Sequence, residues 1–146
     1  MAHLFDSNCF LRLAEPDSLQ RTIVLEALRK LRSANESIYY KPQVIAEFWN
    51  VCTRPSNARG GLGLSVEQTE RKVKLIEKYF RLIPDNFSTF VQWRRLVLEN
   101  KIKGVQVHDA KIAASMIVGN TPFLVTLNDK NFERFPMISV IHPQDV

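Results

Sequence analysis

Cysteine is nearly absent: Cys9 and Cys52 are the only two in 146 residues. They form neither a CxxC pair nor any other metal-binding spacing, which argues against a zinc site and against a disulfide framework. A reducing cytoplasm is the expected compartment. No apolar run approaches the roughly 18 residues that a spanning helix needs, and the opening MAHLFDSNCF has no basic stretch ahead of its apolar residues. Neither a membrane protein nor an exported one is expected. No low-complexity tract, Pro-rich or Gly-rich linker, or internal repeat divides the chain. Its length suffices for one core and is too short for two, so a single domain over residues 1–146 is expected. Acidic residues are outnumbered, 15 against 20 Lys and Arg, for a net charge of +5. That balance favours polyanionic partners but is a weak signal alone.

What is present alternates between strand and helix patterns. Ala2 to Phe5 reads as a short buried strand with Asp6 at its carboxyl end, followed by the apolar segment Cys9 to Leu13. Pro16 and Asp17 open a predicted helix to about Arg32, with a stripe of Ile23, Val24, Ala27, Leu28 and Leu31. Ile38 to Tyr40 is β-prone, and Pro42 stands at a favourable helix start for a helix over Gln43 to Cys52 that carries Glu47. Arg54 to Leu64 holds Pro55, Gly60, Gly61 and Gly63 and reads as a loop. Ser65 and Gln68 then form a capping box, ahead of a buried face of Val66, Thr69, Val73, Ile76 and Phe80. A strand Arg81 to Ile83, helices Asn86 to Glu99 and Asp109 to Val118, and strands Phe123 to Thr126 and Ile138 to Ile141 complete the pattern. Alternation of this kind implies an α/β fold with a central parallel sheet flanked by helices on both faces.

In such a sheet, ligands bind beyond the carboxyl ends of the strands, where Asp6 and the segment after Thr126 should emerge. Glu47 and Asp109 lie on helices that begin near the same edge. If the three carboxylates converge, their repulsion raises their pKa values unless a cation neutralises them, and an oxygen-only cluster selects a hard ion such as Mg²⁺ or Mn²⁺. Plainer roles exist for each. Asp6 can cap the following turn, and Asp109 can serve as a first-turn acid of its helix. Glu47, set among Val44, Ile45, Phe48 and Trp49, needs a partner if it is buried.

These segments also carry a resemblance that runs almost end to end. The stretches LFDSN, IAEFWN, VHDAKIAA and LVTLNDKNF resemble the motifs of the PIN domain family, metal-dependent nucleases that include the VapC toxins of bacterial toxin-antitoxin pairs. The resemblance implies that Asp6, Glu47 and Asp109 are metal ligands, with Ser7, Asn8 and Thr126 holding the site. It implies Mg²⁺ or Mn²⁺ as cofactor and hydrolysis of RNA to a 3′-hydroxyl and a 5′-phosphate. It also implies a homodimer and a cognate antitoxin as partners. The chain departs from the family at the fourth acidic position, where Asn128 and Asn131 flank Asp129. Asn128 is taken as the catalytic-site residue there and Asp129 as a supporting one.

Other features have both a functional and a structural reading. The ARGGLGLS loop lacks the spacings of phosphate-binding loops and reads as a turn, though Arg54 and Arg59 could contact substrate phosphates. Arg94, Arg95, Lys101 and Lys103 could track RNA or form a solvated face. His108 is a proton-shuttle candidate or a structural residue, and Trp49 and Trp93 read as core. A haloacid-dehalogenase-like phosphatase needs a second Asp where Asn8 stands. A non-enzymatic RNA-binding or interaction module is the stronger rival, and metal binding separates it from a nuclease.

Overall fold

Parallel strands cannot be joined by tight hairpins, and this chain supplies the required crossovers with amphipathic helices. The computed structural model describes residues 1–146. Its elements are β1 (Ala2–Phe5), α1 (Ser7–Ala14), α2 (Leu19–Ser33), β2 (Ser37–Tyr40), α3 (Pro42–Thr53), α4 (Val66–Tyr79), β3 (Arg81–Leu82), α5 (Phe87–Glu99), α6 (Val107–Val118), β4 (Phe123–Val125) and β5 (Ser139–Ile141). Short 3-10 turns occupy Gly104–Gln106, Asp129–Phe132 and Pro143–Asp145. The sheet order is β3-β2-β1-β4-β5 and every pairing is parallel, as the sequence pattern implies.

Register divides the core in two. Leu4 lies opposite Leu124, and Phe5 opposite Val125. Successive strand side chains point to opposite faces. Phe5 and Val125 therefore join Phe10, Val24, Val44 and Val73 from α1 to α4, while Leu4 and Leu124 join Leu96, Ile112 and Met116 from α5 and α6. Winding proceeds outward from β1 through β2 to β3, then returns to the other side of β1 as β4 and β5. The reversal leaves a crevice at the carboxyl ends of β1 and β4, the place where open α/β sheets bind ligands.

Local signals explain most boundaries. Pro42 stands in the first turn of α3, Ser65 and Gln68 close the capping box of α4, and the Asn86 side chain accepts from Thr89 N to start α5. The loop between α3 and α4 is tied back by Gly63 N to Arg54 O (2.8 Å) and Leu64 N to Cys52 O (2.8 Å). A methyl group on Gly61 would collide with the carbonyls of Pro55 and Arg54.

The apolar segment Cys9 to Leu13 lies within α1. Several expected boundaries shift. Pro16 and Asp17 do not begin α2; a turn closed by Ser18 N to Glu15 O (3.1 Å) precedes it, and the helix starts at Leu19. α6 begins at Val107, two residues ahead of Asp109, because the 3-10 turn at Gly104–Gln106 feeds directly into it. Val66 is 58% exposed, since the first turn of α4 projects past the core that Thr69, Val73 and Ile76 enter. Thr126 lies past β4, although its N–H still donates to Ile141 O at 3.1 Å. No helix is long and apolar enough to cross a membrane.

Phe10 is the aromatic pivot of the first core, 2% exposed and packed edge-on against Phe80 with ring centroids 4.9 Å apart. Phe10→Ala is expected to lower unfolding stability by about 3–5 kcal/mol, read from denaturant midpoints. A loss under about 1 kcal/mol would mean that this core does not hold α1 to α4.

Candidate metal centre

The crevice is built around Asp6. β1 delivers its backbone, and Asp6 N donates to Val125 O at 3.0 Å, so β1 and β4 stay paired up to the point where they diverge. The carboxylate then turns inward, with Asp6 only 7% exposed. One oxygen accepts from Ser7 N at 2.8 Å, which makes Asp6 the N-cap of α1. The other accepts from Thr126 Oγ1 at 2.9 Å and Asn8 Nδ2 at 3.2 Å. Asn8 also spans the crevice: its Nδ2 donates to Thr126 Oγ1 at 3.0 Å and its Oδ1 accepts from Leu127 N at 3.1 Å. Asp6, Ser7, Asn8 and Thr126 are thus brought into one network.

Glu47 reaches the same place from α3. Ser7 Oγ donates to its Oε2 at 3.0 Å, and Gln43 Nε2 donates to its Oε1 at 2.9 Å. Asp109 lies in the first turn of α6 and is half-buried. Charge links the three acids. Burial raises the Asp6 carboxyl to about 6, assisted by the charges of Glu47 and Asp109 and opposed by the hydrogen bonds from Ser7 and Thr126. Asp109 is raised as well, first by burial and then by Glu47, with His108 and Arg134 pulling the other way. No Lys, Arg or His forms an ion pair with any of the three.

A ready-made cage is not closed. No group of three or more His, Cys, Asp or Glu side chains stands close enough to hold a metal ion. Both Glu47 oxygens are held by neutral donors, Ser7 and Gln43, instead of facing Asp6. The donor set nevertheless suits a hard divalent cation: its donor atoms are all oxygen, its charges repel one another, and none of them forms an ion pair with a protein cation.

The remaining candidates divide. Asn128 contributes its backbone N–H to Thr126 Oγ1 at 3.1 Å, and its side chain is on the exposed rim. Asp129 is exposed, and its carboxylate accepts from Lys130 N at 3.0 Å. Arg54 donates to Arg59 O at 3.0 Å, bracing the loop after α3, and Arg59 is exposed. Arg94, Arg95, Lys101 and Lys103 lie exposed on α5 and the turn after it, with Arg95 paired to Glu99 at 2.8 Å. His108 is exposed. Trp49 and Trp93 are half-buried; Trp49 packs on the first core, and Trp93 packs on the second with its indole N–H donating to Val107 O at 2.8 Å. The sequence reading passed over Gln43 and Lys41. Gln43 sits four residues before Glu47 on α3, a legible spacing; Lys41 carries no comparable signal.

The raised pKa of Asp6 has a definite sign. A carboxyl whose pKa climbs from about 3.8 unfolded to about 6 folded costs stability as pH rises through that interval, by roughly 3 kcal/mol in all. Buried His3, whose pKa is lowered, acts oppositely in an overlapping range, so the comparison must be with Asp6→Asn. In chelator, Asp6→Asn is expected to gain stability over wild type between pH 4 and pH 7. A difference independent of pH would show that Asp6 is not held as a costly buried anion.

The chain matches the PIN domain family model over residues 4–137. No curated protein matches it. Among solved structures, VapBC2 from Rickettsia felis bound to a DNA fragment from their promoter aligns with TM-score 0.71 and 21% identity, covering 97% of this chain and 98% of that chain. A toxin-antitoxin complex from Klebsiella pneumoniae aligns with TM-score 0.67 and 20% identity over 99% of this chain and 100% of that one. A sarcin-ricin-loop-cleaving VapC toxin of Mycobacterium tuberculosis gives TM-score 0.55 and 12% identity over 84% and 87%. Identities this low establish a shared fold, whereas the family model spans nearly the whole sequence: the chain belongs to the PIN domain family.

Proposed function

We propose that this PIN domain is a Mg²⁺- or Mn²⁺-dependent endoribonuclease, the toxin of a VapBC-type pair. One observation carries the reading: Asp6, buried at the sheet's switch point, feels the charges of Glu47 and Asp109, and no protein cation pairs with any of them. When bound, a divalent ion supplies positive charge for the phosphate oxygens and acidity for water. The chain's own residues hold the reacting groups in place. Ser7, Thr126 and Asn8 fix the Asp6 carboxylate from three sides, leaving it little freedom to turn away. Glu47 and Asp109 would supply the other two carboxylates that hold the ion, with Glu47 oriented by Ser7 and Gln43. Hydrolysis leaves a 3′-hydroxyl and a 5′-phosphate.

Partners follow from the same reading. The net charge of +5 favours an RNA substrate. A cognate antitoxin is supported by the toxin-antitoxin complexes among the structural neighbours. Its surface here is the apolar groove of about 260 Å³ between α1, α2 and α4, lined by Leu13, Leu28, Leu75 and Tyr79. A homodimer completes the expected assembly. The rival reading, an inactive PIN scaffold, is favoured by Asn128 in the last motif and by the engaged Glu47 side chain.

Asp109→Asn is expected to fold normally and to lose at least about a hundredfold in cleavage of synthetic RNA in Mn²⁺. Mn²⁺ at about 100 times its Kd should raise the wild-type Tm by roughly 5–10 °C, because only the folded chain assembles the acids. Identical melting in Mn²⁺ and in chelator, with no metal-dependent cleavage, would leave the scaffold reading.

A separate comparison addresses the fourth acidic position. If Asn128 fills it, Asn128→Asp lowers the Mn²⁺ concentration needed for cleavage and Asp129→Asn changes little. The opposite pattern, with Asn128→Ala silent, would make Asp129 the fourth acid.

A further inference from the structure

Lys41 follows β2 and is wholly buried, at 0% exposure, an uncommon position for a lysine. Its ammonium donates to Ser115 Oγ at 2.6 Å, Gln43 Oε1 at 3.3 Å and Lys111 O at 3.4 Å, with Asp85 Oδ1 also 3.4 Å away. Ser115, Lys111 and Asp85 account for a tie between β2, α6 and the segment after β3. They do not account for Gln43, which faces the acidic wall.

A carboxamide has one accepting end and one donating end. With the Gln43 carbonyl on the ammonium, both N–H groups point the other way, and Nε2 donates to Glu47 Oε1 and to His108 O, each at 2.9 Å. Turning the amide over would set its oxygen against the Glu47 carboxylate and the His108 carbonyl, and its NH₂ against the ammonium. All three contacts would become repulsive. Lys41 therefore anchors the accepting end of the amide in the orientation that Glu47 and His108 O also require, and through His108 O the same amide secures the turn of α6 that presents Asp109. We propose that Lys41 is a positioning residue for Glu47, acting through the Gln43 carboxamide. The proposal rests on the nuclease reading in that it takes Glu47 as a metal ligand.

Lys41→Met should fold, because its removal leaves few orphans. Ser115 Oγ still donates to Lys111 O at 3.1 Å, and Asp85 keeps Lys111 Nζ at 3.5 Å. The test uses the full chain in two measurements. Side-chain amide NMR without metal reads the Gln43 NH₂ pair, and calorimetric titration with Mn²⁺ reads affinity in wild type, Lys41→Met, Gln43→Leu and the double variant. We expect the Gln43 signals to shift in Lys41→Met. Mn²⁺ affinity should fall about tenfold in each single variant, as for other groups that orient ligands. The double variant should be no worse than Gln43→Leu, since Lys41 acts only through that amide; a merely structural lysine would give additive losses.

Unchanged Gln43 signals in Lys41→Met, or additive losses in the double variant, would overturn the proposal while leaving the nuclease reading intact. Should Lys41→Met fail to fold, Gln43→Leu, at a half-exposed position, must still weaken Mn²⁺ binding, and an unaltered affinity there would also overturn it. Absence of Mn²⁺ uptake by wild type, with the Gln43 signals responding as expected, would instead sink the nuclease reading and the ligand role of Glu47 with it.

Discussion

The Asp6 carboxylate binds together the two halves of the sheet's winding. It closes the end of β1, caps α1 through Ser7 N, and bonds across the switch point to Thr126 just past β4. A buried anion of this kind would ordinarily seek an arginine or a lysine. Here every direct partner is neutral, and the nearest acids push its pKa up rather than down. Hydrogen bonds fix the geometry without cancelling the charge. The protein therefore carries an unneutralised, well-oriented carboxylate at the one crevice its topology creates, and the neighbouring residues are arranged around that fact.

The electrostatic cost is met partly by backbone. Asp6 caps α1 and Asp109 occupies the first turn of α6, so both acids stand at the positive ends of helices. The structural and chemical readings of these residues are consequently not rivals. A capping role places each carboxylate at the sheet edge, and the same helix end tolerates its charge. Glu47 has no helix end to lean on, being mid-way along α3, and is held by side chains instead: Ser7 on one oxygen and Gln43 on the other. That difference explains why the arrangement around Glu47, alone of the three, reaches back to a buried lysine.

Much of this was legible in the sequence, for physical reasons that can be named. The short run Ala2 to Phe5 reads as a buried strand, and its alternation with amphipathic helices points to a parallel sheet. The capping box at Ser65 and Gln68 and the Pro42 start are local chemistry, and they appear where expected. Asp6 was legible as an edge residue because it directly follows a strand. The misses have equally specific causes. Pro16 suits a helix start, but the turn between Glu15 and Ser18 uses it first. Val66 fits the apolar period of α4 yet lies beyond the reach of the core. Lys41 was invisible because nothing in a sequence marks a lysine as buried; its partners come from Gln43, Asp85, Lys111 and Ser115, which only the fold assembles.

On the proposed nuclease reading, charge count trades against order at Asn128. Each added carboxylate would strengthen the hold on a divalent ion and raise the cost of folding without one. Asn128 places a neutral side chain on the rim, while its backbone N–H still fastens Thr126, the residue that steadies Asp6. The last motif thus orients Thr126 through its backbone. On that reading, a neutral Asn128 would leave three carboxylates, and their geometry would matter the more for holding an ion. A chain in that position gains from fixing Glu47 firmly, which is what the Lys41 to Gln43 contact does.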